Sequence, residues 1–199
     1  EQATLFTARP LVGPGIALVF IVLAGLAAAT IMGAGTGTWV VVLAAAIGAY
    51  MALNIGANDV ANNMGPAVGA KAVTMGGALL IAAICETAGA LLAGGDVVST
   101  VSRGIVAPEA VAAPAIFVWA MMAALLAGAF WIHLATMMGA PVSTTHSIVG
   151  GVMGAGIAAA GFGAVNWPVM GAIAASWVVS PLLGGLIAAL FLAILNNRI

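Results

Sequence analysis

Residues 14–32 contain no ionisable side chain, and comparable apolar runs return at residues 39–70, 75–93, 114–138, 142–160 and 168–195. A helix crossing the hydrocarbon core of a bilayer needs about 20 mostly apolar residues. The pattern therefore predicts six membrane segments. Only 5% of the side chains are charged and 64% are hydrophobic, against about 25% charged in soluble domains, so a soluble enzyme domain is excluded. Four Lys and Arg against five Asp and Glu leave no basic field to hold nucleic acid. The single cysteine, Cys85, has no second thiol for a disulfide, a zinc site or electron shuttling. The expected fold class is all-α: a polytopic transmembrane helical bundle with broken helices, multi-pass in the cell (inner) membrane, with the lipid bilayer as its partner.

The first run does not read as a secretory signal, because it is too long, the chain does not begin with Met and no polar mature domain follows. Residues 94–113, with Asp96, Arg103 and Glu109, read as the one substantial polar connection. If every segment crosses once, Arg9, Lys71 and Arg198 share one side and Arg103 lies on the other. Positive charge favours the cytoplasm, which predicts both chain ends inside and the Asp96 to Glu109 loop outside. Abundant Gly and Ala predict close helix packing, since in lipid helices associate by backbone approach. Trp39, Trp119, Trp131, Trp167 and Trp177 are expected as an interfacial belt without chemistry.

Two polar interruptions carry the functional information. In Asn54-Ile-Gly-Ala-Asn58-Asp59-Val-Ala-Asn62-Asn63-Met-Gly65-Pro66, one carboxylate and four amides fall inside an apolar run. Irregular backbone survives at membrane depth only where protein or a polar cavity encloses it. The second segment is expected to unwind at Gly56 and restart with Asn58 or Asp59 as a helix cap. Asp59 is then either a cap in a polar helix interface or a functional group, and its charge penalty favours function. In Pro141-Val-Ser-Thr-Thr-His-Ser147, Pro141 suits a helix start. Ser143, Thr144 and Thr145 are placed in the first turn, where unpaired N–H groups and the helix dipole favour an anion. Their hydroxyls could instead back-bond within the helix. His146 either faces this site or hydrogen-bonds across helices.

Two polar helix starts after broken backbone match the discontinuous-helix sites of secondary transporters. A carboxylate beside an anionic substrate costs several kcal/mol at low dielectric. A sodium ion held by Asp59 and neighbouring oxygens, or a proton on Asp59, would offset that repulsion and make anion binding depend on the cation. Glu86, in Ile84-Cys85-Glu86-Thr87 within the third segment, is a second coupling candidate or an interhelical tie to Thr87 or an Asn.

At these residues the sequence resembles the inorganic phosphate transporter family of sodium- or proton-coupled phosphate permeases. Gly56-Ala-Asn-Asp-Val-Ala-Asn62 and Pro141-Val-Ser-Thr-Thr-His-Ser147 are similar to its two signatures, and Cys85-Glu86-Thr87 to its intramembrane glutamate segment. The resemblance implies one half of an inverted-repeat transporter. Residues 39–199 would form the N-terminal repeat, and residues 1–38 an extra transmembrane helix. It implies substrate-binding roles for Asn58, Asp59, Asn62, Ser143, Thr144 and Thr145, and coupling-ion roles for Asn58, Asp59, Thr144 and Glu86. Asp59 would be a sodium ligand, and no cofactor is expected beyond Na+ or H+ as coupling ion.

The implied substrate is inorganic phosphate, with sulfate or another oxyanion as the alternative. A second repeat, or another copy of the chain, would complete the site, because one copy of each signature is present. A passive anion channel and a non-transporting assembly subunit are the competing classes. No HExxH or GxSxG element supports an intramembrane enzyme.

Overall fold

The computed structural model describes residues 2–197, with side chains from Leu11 onward. Arg9 and Arg198, two of the charges used to orient the chain, lie outside the described side chains. Six α-helices follow in order among the described residues: α1 (Gln2–Met32), α2 (Thr38–Gly69), α3 (Met75–Ser99), α4 (Pro114–Met137), α5 (Thr144–Ala160) and α6 (Trp167–Asn196). All except α5 are long and apolar enough to cross a membrane. The protein is an integral, multi-pass membrane protein built from helices.

The break expected at Gly56 is absent: α2 runs unbroken from Thr38 to Gly69. Three of the four amides in this run, Asn54, Asn58 and Asn62, are hydrogen-bonded while the helix continues. Asn54 Nδ2 donates back to the Tyr50 carbonyl at 2.8 Å, and Asn62 Nδ2 donates to Asn58 Oδ1, one turn away, at 2.9 Å. Asn58 and Asp59 are therefore mid-helix residues and not caps. The irregularity is displaced to Pro66, inside the same helix. Having no N–H, Pro66 leaves the Asn62 carbonyl without its i+4 donor. The helix ends three residues later, with Lys71 in the left-handed region at φ 60°.

The discontinuity lies between α4 and α5. Gly139, at φ 67°, donates to the Thr136 carbonyl, and Ala140 donates to the Ala135 carbonyl. This is the 5→2 and 6→1 pair of a Schellman stop, and the left-handed residue it requires is cheap only for glycine. Pro141 follows, and Ser143 caps α5 by accepting from His146 N at 3.2 Å. Ser143 thus precedes the first turn that was expected to contain it. Helices α4 and α5 thereby form a hairpin. Its two outer ends lie together, because Val106 pairs with Val165 in an isolated antiparallel bridge and Asn166 N donates to the Ile105 carbonyl. Its tip meets α2 near Asn58, and α2 continues to Gly69, roughly 16 Å further at 1.5 Å per residue.

Residues 94–113 are not a simple external loop. Helix α3 extends to Ser99, a turn of π-helix covers Thr100–Gly104, and Ile105 and Val106 are buried. With Val111, Ala124, Val149, Val152 and Ala164 they form the main core. Small residues let the hairpin close. A Cβ on Gly151 would meet the Ala124 carbonyl oxygen at 2.8 Å, whereas Gly154 has open space around it. Gly151→Ala should therefore destabilise the full-length protein by about 1–3 kcal/mol. Gly154→Ala should be neutral or stabilising by up to about 1 kcal/mol. Thermal unfolding in detergent reads the difference.

Candidate functional site

The two polar signatures meet at the hairpin tip. Thr144, the first residue of α5, donates from Oγ1 to Asp59 Oδ2 of α2 at 2.9 Å. Asn58 Nδ2 donates to Thr136 Oγ1 of α4 at 3.1 Å, and Thr136 Oγ1 donates to the Ile132 carbonyl at 2.8 Å. Asn62 Nδ2 reaches the Val142 carbonyl in the tip at 3.4 Å. Asn54, Asn58 and Thr144 are buried, Asp59 is half-buried, and Asn62, Ser143 and Thr145 are exposed. The irregular tip is thus held by side chains of α2, as backbone at membrane depth requires.

The position of each polar group follows from helix geometry. Asn54, Asn58 and Asn62 are spaced at i, i+4 and i+8, so they line one stripe of α2. Asp59 follows Asn58 around the helix and reaches α5 while Asn58 reaches α4. At the start of α5 the Ser143 hydroxyl accepts from His146 N. Among the described residues no backbone acceptor takes the N–H of Thr144 or of Thr145. Two unpaired donors at the positive end of a 17-residue helix suit an anion. Beside them stands the Asp59 carboxylate, bound to the Thr144 hydroxyl.

Glu86 is not part of this cluster. It lies on an exposed stretch of α3, and among the described residues it hydrogen-bonds neither to Thr87 nor to an Asn of α2. His146 does not bridge helices through a hydrogen bond either: its ring packs on Trp177 of α6 with centroids 3.9 Å apart. Trp177 therefore departs from the expected belt. Thr136 was missed at the sequence level; a lone threonine late in the apolar α4, four residues beyond Ile132, was the available signal.

The Phosphate transporter family profile matches residues 55–199. The chain belongs to this family. A Helicobacter pylori protein named "Putative phosphate permease" is 56% identical over 184 residues, covering 92% of this chain and 34% of that protein. A Mycobacterium tuberculosis protein of the same description is 46% identical over 176 residues, covering 84% and 32%. A solved structure, "The sodium-dependent phosphate transporter", superposes with TM-score 0.70 at 50% identity, covering 74% of this chain and 37% of that one. The chain thus spans about a third of the length of these relatives. The family profile leaves α1 outside its matched range, but an alignment covering 92% of the chain must include part of that helix.

The hydrogen-bond chain through Asn58 can be probed directly in this family member. Thr136→Val removes the acceptor of the buried Asn58 amide. It should lower stability by about 0.6–2 kcal/mol, the range for hydrogen bonds between membrane helices. Denaturant unfolding of the full-length protein checks this.

Proposed function

We propose that the chain supplies one repeat of a cation-coupled inorganic phosphate symporter working by alternating access, with sodium or a proton as coupling ion. The observation that carries this reading is the Thr144 to Asp59 hydrogen bond at the N-terminus of α5. It sets a carboxylate against a helix end suited to an oxyanion. Asp59 and phosphate would repel each other at low dielectric. A cation between them, ligated by Asp59, the Asn62 carbonyl and hydroxyl oxygen of Thr144, removes the repulsion and couples the two affinities.

In this scheme Asn58, Asn62, Ser143 and Thr145 contribute amide and hydroxyl contacts to phosphate or the ion, and Ser143 also caps the helix. Residues 39–199 act as the N-terminal repeat, and residues 1–38 as an additional helix. The protein then acts as a carrier and not as a catalyst. The exposed Glu86 fits the same picture. A carboxylate midway along a membrane helix is costly against lipid, so its face of α3 calls for cover by protein. The second repeat, or another copy of the chain, is the natural cover.

Asp59→Asn in the full-length protein, reconstituted in liposomes, should abolish sodium- or proton-driven phosphate accumulation while leaving the amount of folded protein unchanged. The gain in phosphate affinity on adding the coupling ion should shrink by about 5–150-fold, corresponding to a coupling free energy of about 1–3 kcal/mol. Competition between radiolabelled phosphate and sulfate identifies the oxyanion. Phosphate uptake indifferent to both sodium and pH would sink the proposal.

A further inference from the structure

Helix α6 changes character at Trp177. Up to that residue it is anchored: Asn166 caps it by accepting from Val169 N at 3.3 Å, Asn166 N donates to the Ile105 carbonyl, and Met170, Ile173 and Trp177 pack against the main core. Beyond it the helix is free. Leu182, Leu186 and Leu190 are exposed, and among the described residues none after Trp177 belongs to a core cluster or packs against one. The last anchor is a ring contact, Trp177 on His146 of α5 with centroids 3.9 Å apart. The Trp177 indole N–H is buried without an acceptor among the described residues, so this contact is held by packing and not by a hydrogen bond.

The backbone weakens at the same place. Pro181 stands inside α6 and, having no N–H, leaves the Trp177 carbonyl without its i+4 donor. Gly184 and Gly185 follow within about one turn. A Cβ on either glycine would meet nothing within 4 Å, so close packing does not require them, and glycine in a helix interior lowers its stability. Proline and glycine are the usual points at which a helix bends. The helix nevertheless runs unbroken to Asn196. Its anchored part and its free part thus meet where it is softest.

This point borders a cavity of about 710 Å³ that reaches the start of α5. Ile173, Ser176 and Trp177 of the anchored part, with Ser180 and Pro181 beyond it, form the α6 wall. Asp96 of α3 lines the cavity too, and so do Ser143 and Thr145, two of the residues assigned contacts to phosphate or the ion in the symporter reading. A bend at Pro181 carries one part of the α6 wall relative to the other and alters the width of the cavity.

We propose that α6 is a hinged arm. The part through Trp177 stays pinned to the hairpin, and residues 182–196 swing about Pro181 to widen and narrow the cavity that leads to Ser143 and Thr145. Hinges are a few positions, away from the chemistry, that absorb the change in backbone angles. The use of this motion in transport rests on the symporter reading; the motion itself is measured without transport.

The test places nitroxide labels on Gly163→Cys, beside the start of α6, and on Leu190→Cys, on the arm, in full-length protein freed of other cysteines and reconstituted in liposomes. Pulsed dipolar spectroscopy should give two distances, with populations that shift on adding phosphate and sodium. Pro181→Ala should leave one distance. Gly184→Ala combined with Gly185→Ala, which adds methyl groups only in open space, should deplete the bent population as well, and it guards against misfolding of the proline variant. In unlabelled protein Pro181→Ala should lower the maximal rate of phosphate uptake several-fold and leave KM unchanged, because a stiff arm slows turnover without removing a contact to phosphate. A single distance in protein that keeps Pro181, Gly184 and Gly185, both with and without phosphate and sodium, overturns the hinge. So do two distances that persist unchanged in both stiffened variants. Two distances, lost in Pro181→Ala, in a protein that accumulates no phosphate would uphold the hinge and sink the symporter reading instead.

Discussion

The hydroxyl that Thr144 donates to Asp59 joins α2 to the point where the chain turns back inside the bundle. Backbone leaving a helix at membrane depth needs partners for its polar groups, and α2 supplies one of them through Asn62. The Schellman stop at Gly139, the Ser143 cap and the Asn62 contact to Val142 satisfy the turn from both directions. What stays unsatisfied is specific: two N–H groups at the start of α5 and one carbonyl on α2. The donor pair lies next to the Asp59 carboxylate, so opposite electrostatic demands meet at one helix end.

This arrangement depends on close packing of small residues. In lipid no hydrophobic effect drives helix against helix, so the hairpin closes by backbone approach, most tightly where Gly151 lies on the Ala124 carbonyl. A side chain there would push α5 outward and carry Thr144 away from Asp59. The core then extends into Ile105 and Val106, from a segment whose neighbours are polar. By contrast α3 and α6 bury little of their surface. Helix α3 carries the exposed Glu86 and Asp96.

Polar groups on α2 show how residues costly in lipid can stand within an unbroken helix. Asn54, Asn58, Asp59 and Asn62 did not break the helix, because Asn54 donates back to the Tyr50 carbonyl and Asn62 to Asn58, one turn away, while it continues. Conversely, residues 94–104 looked like a connection because they contain glycines and charges, and they fold as helix and π-turn. Composition reports how costly a residue is in lipid; it does not report whether a neighbouring helix removes that cost.

The helix inventory, the exclusion of a soluble fold and the identity of the costly polar residues were legible in the chain, because transfer into lipid is a local property of a short window. Which of those residues meet was settled by the tertiary structure. Asn58 and Thr136 are 78 residues apart, Asp59 and Thr144 are 85 apart, and Asp96 faces a cavity shared with α6. These meetings depend on how far the α4–α5 hairpin penetrates and how each helix is rotated about its axis. Both are set by the packing of several helices together, which no single window of sequence contains.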